Sequence, residues 1–249
     1  MFQNGTMFSE SLGRILEVLT EGCLNWIIER NIMNTSDITK KLNILVVEDT
    51  FNHQQAARLQ LADHNVTIVG GYKEGNDLLE IRVDYDKYYT LPEDVSMEEK
   101  ERICATRPNW DVVLLDLMLP ASMCGVSGDG EKFEGQEMPI GTILAFLAIK
   151  SGCKNVAVVT DVNHHKHPAS AAFDSFGGGR FQVGDANIFL TNYGTVLVDA
   201  ETFELIKYTE GWNTKYPSLG NELYQNAIYV KPWKNVLEKV LGTYVARRA

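Results

Sequence analysis

DVVLLDLMLP, residues 111–120, sets four consecutive apolar side chains, Val112 to Leu115, ahead of a carboxylate, Asp116. Successive side chains of a strand point to opposite faces, so a strand here is apolar on both. That is the pattern of a parallel strand buried between two layers of helices, not of a sheet with one wet face. Pro120 cannot donate to a ladder, so the strand ends close to the acid. Asp116 is therefore placed at a carboxyl end, where open α/β sheets collect their ligands.

Outward from this stretch the pattern repeats. NILVV (43–47), VTIVGG (66–71), NVAVVT (155–160) and AIYVKP (227–232) are short apolar runs. FNHQQAARLQLADH (51–64), GNDLLEI (75–81), GTILAFLAIKSG (141–152) and WKNVLEKVLGTYVA (233–246) have helical spacing. Strands alternating with helices predict a doubly wound, five-stranded parallel sheet in a three-layer α/β domain. Residues 7–32 carry a helical stripe of Phe8, Leu12, Ile15, Leu19, Cys23, Trp26 and Ile27. The predicted organisation is an N-terminal helical extension over 1–40 and one domain over 41–249. The stripe is expected to pack on its own domain or to form a homodimer.

Three stretches fall outside that frame and read as insertions: about 84–108, 121–139 and 161–226. The third contains NIFLTN and TVLVDAETFELIKY, which resemble a hairpin. GGGR at 177–180 lacks the strand before it and the G-K-[ST] after it that a phosphate loop needs, and reads as a hinge.

The formal charge of −10 over 249 residues opposes binding to a phosphate backbone, so nucleic acid is not an expected partner. No run of about 18 apolar residues occurs, so no membrane-spanning helix is expected. Cys23, Cys104, Cys124 and Cys153 are dispersed with no C-x-x-C pair. With no basic start and apolar block at the N-terminus, they fit a reduced, cytoplasmic protein.

Polar groups at the carboxyl ends of the predicted strands carry the chemistry. The first strand ends in Glu48 and Asp49, the third in Asp116, the fourth in Thr160 and the fifth in Lys231. Carboxylates converging there repel one another unless a hard cation shares them, and Mg²⁺ is the natural choice. An ammonium and a hydroxyl on the same rim would hold the oxygens of a transferred phosphoryl group.

VVEDT, DLMLP, VVT and YVKPW together resemble the receiver domain of two-component response regulators, in that family's order. The resemblance covers roughly 43–83, 109–120, 140–160 and 226–245. It implies a flavodoxin-like sheet of order 2-1-3-4-5 and a phosphorelay role with Mg²⁺. Asp116 would accept a phosphoryl group from a partner histidine kinase or phosphotransfer protein. Glu48, Asp49, Asp116 and the carbonyl of Met118 would hold the metal. Thr160 and Lys231 would contact the phosphoryl oxygens, the Lys231–Pro232 bond would be cis, and output would pass to a protein partner.

The chain departs from that family at two positions. Asp161 stands where a small residue usually follows the switch hydroxyl, and Ile228 stands where a switch aromatic is usual, with Tyr229 turned to the opposite face. These departures point to an alternative, a pseudo-receiver that binds partners without phosphorylation. The chain is not expected to be an enzyme in the ordinary sense. A phosphatase of the haloacid dehalogenase type would need a second aspartate where Met118 lies. DVNHHKH (161–167) carries a histidine, His164, that is a candidate phosphate contact, while the run as a whole reads as a solvated loop with metal binding as the other reading.

Overall fold

The computed structural model describes residues 41–122, 127–192, 195–204 and 226–242. The expected N-terminal extension and its stripe lie outside these residues.

The strands that build the domain are β1 (Asn43–Val47), β2 (Asn65–Val69), β3 (Val112–Asp116), β4 (Asn155–Val159), β5 (Arg180–Val183), β6 (Ala186–Thr191), β7 (Val196–Asp199) and β8 (Ala227–Val230). The helices are α1 (Phe51–Gln60), α2 (Tyr72–Leu79), α3 (Tyr85–Thr90), α4 (Met97–Cys104), α5 (Gly141–Lys150), α6 (Pro168–Ala172) and α7 (Trp233–Leu241). Six strands form one sheet in the order β2-β1-β3-β4-β6-β5. Every pairing is parallel except the edge hairpin β6–β5.

Alternation along the strands sorts the core into two layers. Leu45, Val47, Val113, Leu115, Val156 and Val158 pack with Leu79 of α2 and with Leu144, Ala145 and Ala148 of α5. Ile44, Val46, Val112, Leu114, Ala157 and Val159 pack with Ala56 and Ala57 of α1 and with Trp233, Val236, Leu237 and Val240 of α7. Both faces of the sheet are thus covered, which explains why its strands are apolar at consecutive positions.

The expected fifth strand is corrected here. Residues 227–230 do not join the central sheet but pair antiparallel with β7 in a separate two-stranded ribbon. Their place beside β4 is taken by β6, from the stretch read as an insertion, and β6 forms its hairpin with β5, not with β7. Burial supplies the reason: β6 is enclosed at Ala186, Ile188, Phe189 and Thr191, whereas β8 is fully buried only at Val230, with Tyr229 exposed. The sheet accordingly has six strands, and residues 161–226 are partly frame. The first insertion is a pair of short helices, α3 and α4, closed at its base by pairing of Arg82–Val83 with Ala105–Thr106.

Short polar side chains mark the amino ends of the sheet strands. Asn43 faces Asn65 and Asn155 faces Asn187 in register. Asn65 Nδ2 donates to Asn43 Oδ1 at 3.1 Å and Asn187 Nδ2 to Asn155 Oδ1 at 3.0 Å. Asp111 joins the two pairs, accepting from Asn43 N at 2.8 Å through its carboxylate and from Asn155 Nδ2 at 3.1 Å through its carbonyl.

Candidate functional site

The opposite, carboxyl edge gathers the charged groups. Glu48 follows β1 directly and extends its ladder through Glu48 N to Val69 O at 3.0 Å. Asp116 closes β3, and the next amide, Leu117 N, bonds Val159 O at 3.0 Å. Lys231 enters from the ribbon, immediately after buried Val230. Glu48, Asp116 and Lys231 come from distant parts of the sequence and meet with almost no exposure to water.

Lys231 Nζ lies 2.7 Å from Glu48 Oε2 and 2.8 Å from Asp116 Oδ2, with the lysine side chain 0% exposed. The second oxygen of each carboxylate is held by backbone: Thr50 N donates to Glu48 Oε1 at 3.0 Å and Met118 N to Asp116 Oδ1 at 3.3 Å. A buried ion pair persists only when its remaining lone pairs are satisfied in this way. Glu48, the half-buried Asp49 and Asp116 bring carboxylate oxygens within 4.8 Å of one another, a set that could hold a metal ion. Oxygen ligands of this kind suit a hard cation such as Mg²⁺.

Charge in this enclosed space is unbalanced toward the acid. Burial pushes the Asp116 carboxyl up to about 8; Lys231 opposes that rise, and Glu48 and Asp161 add to it. Burial also raises Glu48, against the pull of Lys231. On Lys231 burial works against the ammonium, but Glu48, Asp116 and Asp161 outweigh it and the lysine is held above its ordinary value. Burial thus favours the protonated carboxyl here, a bias that a divalent cation would oppose, and the donor set fits such an ion.

Asp161 is the third acid around Lys231, with Oδ1 at 3.8 Å from Nζ. Its Oδ2 lies 3.3 Å from His53 Nε2. The hydrogen bond to His53, opposed by partial burial and helped by Lys231, lowers Asp161 to about 2. His53 Nδ1 accepts from Lys231 N at 3.4 Å, which leaves the proton on Nε2 to be donated to Asp161. His53 O accepts from Trp233 Nε1 at 2.9 Å, and Gln60 Nε2 donates to Lys231 O at 3.3 Å. Two side chains and one carbonyl of α1 therefore clamp the Lys231–Trp233 segment. The Lys231–Pro232 bond is trans, against expectation. Trp233 N already bonds Lys231 O at 3.0 Å, and that turn leads into α7 without a cis bond.

Thr160 is fully buried, its amide donating to Thr191 O at 3.1 Å and its hydroxyl accepting from Val162 N at 3.1 Å. The hydroxyl thus shapes the loop that carries Asp161. Ile228 is half-buried against the core while Tyr229 is 51% exposed, so no aromatic occupies the switch position. His164 bonds Asp174 and His165, not the acidic cluster.

Sequence reasoning missed His53 and Gly141. His53 shares a stripe with Ala56 and Ala57, the buried face of α1. A histidine at i of an i, i+3, i+4 apolar stripe was the available signal. Gly141 opens α5 against the Asp116–Leu117 backbone, where an added Cβ would overlap Asp116 O. Compared with protein-family models, curated proteins and solved structures, the chain matches none.

Proposed function

We propose that the chain is a receiver-like signalling module with a flavodoxin-like fold, phosphorylated on Asp116 by a partner histidine kinase or phosphotransfer protein and read by a second protein. The observation that carries this reading is the convergence of Glu48, Asp49, Asp116 and Lys231 at one enclosed strand edge. Acids after buried strands are common, but Glu48 and Asp116 sharing one buried lysine, with Asp49 beside them, would suit a site that handles phosphoryl oxygens through a hard cation and an ammonium.

Asp116 Oδ2, now on Lys231, would attack the phosphorus. An O–P bond forms as the P–N bond of the phosphohistidine breaks, and the imidazole nitrogen keeps the electron pair. A bound Mg²⁺ would keep Asp116 ionised and neutralise the phosphoryl oxygens, with Glu48, Asp49, Asp116 and the Met118 carbonyl as its protein ligands. Lys231, 2.8 Å from Asp116 Oδ2, would follow the charge from the carboxylate to the phosphoryl group, and the Met118 amide would orient Asp116.

A second reading, a pseudo-receiver that works through protein contacts alone, is favoured by Asp161. Its carboxylate stands beside Lys231 and is locked by His53. The test is intact mass after incubation with acetyl phosphate and Mg²⁺, beside Asp116→Asn. A phosphoryl adduct on the wild type alone supports the first reading. No adduct on a folded wild type rejects it and leaves the interaction module.

A further inference from the structure

Residues 84–106 form a helical hairpin that the proposed phosphoryl site does not use. α3 carries Tyr85, Tyr88 and Tyr89 within six residues and buries none of them, and α4 buries only Cys104. None of the three rings belongs to either core layer. They pack on one another instead, with centroids 6.1 Å apart for Tyr85–Tyr88, 6.3 Å for Tyr85–Tyr89 and 5.4 Å for Tyr88–Tyr89. Tyr85 stays 61% exposed and Tyr89 79% exposed. A single exposed aromatic is ordinary, but a cluster on a helix that buries nothing marks a contact surface. Tyrosine suits that role, because it offers a wide, rigid ring at little entropic cost.

The charge of the hairpin indicates what it contacts. It holds seven carboxylates against three cations. The cations are committed within the hairpin. Lys87 Nζ donates to Ile103 O at 3.2 Å and Lys100 Nζ to Leu91 O at 3.3 Å, and Arg102 pairs with Glu99 on its own helix. The side chains of Asp86, Glu98 and Glu101 are exposed and make no hydrogen bond or ion pair with a described residue. Such an excess of acid repels nucleic acid and anionic membranes and draws in a basic partner.

Lys100 already displays the contact that a basic side chain makes here. Its Nζ stands 5.8 Å from the centroid of the Tyr88 ring, within cation–π range. No described cation lies over Tyr85 or Tyr89, the two most exposed rings of the three. Arginine fits them better than lysine. Its guanidinium sheds water more readily, stacks flat on a ring and can fork onto a neighbouring carboxylate. We propose that Tyr85 and Tyr89, with the unpaired acids of the same hairpin, dock an arginine-bearing segment of a partner protein. The base of the hairpin, Arg82 and Thr106, lines one cleft with Asn43 and Asn65 at the amino ends of β1 and β2. The docked segment therefore sits at the sheet edge away from Asp116, and the inference does not depend on phosphorylation.

The test titrates an octapeptide of alternating arginine and glycine into the untagged full-length protein by calorimetry at low ionic strength. Saturable one-to-one binding is expected, weakening as salt is raised. The same peptide with lysine in place of arginine should bind at least threefold more weakly. Tyr85→Leu with Tyr89→Leu should weaken arginine-peptide binding about fivefold or more, whereas Tyr85→Phe with Tyr89→Phe, which keeps both ring faces, should change it less than twofold. Asp86→Asn with Glu101→Gln should weaken it at least threefold and flatten the salt dependence. All four positions are exposed, so these variants fold, which circular dichroism checks. No binding at millimolar peptide overturns the proposal, as does equal binding of the lysine peptide or binding that survives the leucine pair. Loss on Glu131→Gln with Glu134→Gln instead would place the peptide on the acidic segment after β3 and overturn it equally. A dimer in light scattering that the leucine pair dissolves would assign the surface to a second copy of this chain, and would overturn it too.

Discussion

Replacing Lys231 with methionine removes the cation that touches both Glu48 and Asp116. The lysine and Glu48 side chains are 0% exposed and Asp116 is 6% exposed, so neither acid can turn to water. Breaking a buried pair by deleting one partner costs about 3–5 kcal/mol, because a buried charge is left uncompensated. Against a total stability of about 5–15 kcal/mol for a domain, Lys231→Met is expected to sit near its unfolding threshold at neutral pH. The penalty should depend on pH. Lys231 holds down both carboxyls, and both already titrate above their ordinary values. Without the lysine they rise further. A carboxyl whose folded value is raised contributes stability that is complete below its unfolded value, near 3.8 for Asp116, and is lost as pH climbs through its folded value. The gap between Lys231→Met and wild type is therefore expected to widen where the wild-type carboxyls ionise and those of the variant stay protonated, which for Asp116 is above about pH 8. Urea unfolding in EDTA, followed by tryptophan fluorescence at pH 7 and pH 9.5, measures it. A Glu48→Gln, Lys231→Met double variant should recover part of the loss. A gap under about 1 kcal/mol at pH 9.5, or one no larger at pH 9.5 than at pH 7, would refute the reasoning.

Other expectations follow from single contacts. Asp161→Ala removes a carboxylate beside Lys231, so any adduct from acetyl phosphate should form severalfold faster; an unchanged time course in intact-mass measurements would show that Asp161 does not compete for the lysine. Gly141→Ala sets a methyl into Asp116 O, and α5 must shift to admit it. Overpacking against backbone is expected to cost about 1–3 kcal/mol or more in chemical denaturation, and a neutral effect would mean that α5 moves freely. Trp233→Phe removes the 2.9 Å bond to His53 O and should cost about 1 kcal/mol, measured the same way at pH 7.

Three of the sheet strands were legible because DVVLLD, NILVV and NVAVV are apolar on consecutive positions, which only a doubly covered sheet rewards, and VTIV, at the sheet edge with Thr67 exposed, was legible as a β-branched run. The acids and the lysine were legible because chemistry at strand ends needs them there. The fifth position failed because AIYV and NIFLT are equally apolar over short spans. The amino ends did not separate the two either: Asn187 is the second residue of β6, and Asn226 stands just before β8. The His53–Asp161 contact was not legible, since nothing local ties a residue of α1 to one over a hundred positions later. The bond between His164 and His165 was equally hidden, because loop conformation, not periodicity, brings their nitrogens together.

The row of asparagines along the amino edge has a consequence for how this sheet tolerates change. Register is fastened there by side chains that reach across from strand to strand, at the end away from the carboxylates and the lysine. Loops at the other end can then be lengthened, shortened or replaced without slipping a strand by one residue, which would turn every core side chain to the wrong face. The fastening thus separates heritable shape from adjustable chemistry, and two of the three long excursions of this chain begin on the adjustable side. New recognition surfaces can be grafted after β3 and β4 while the framework that aims Asp116 stays in place.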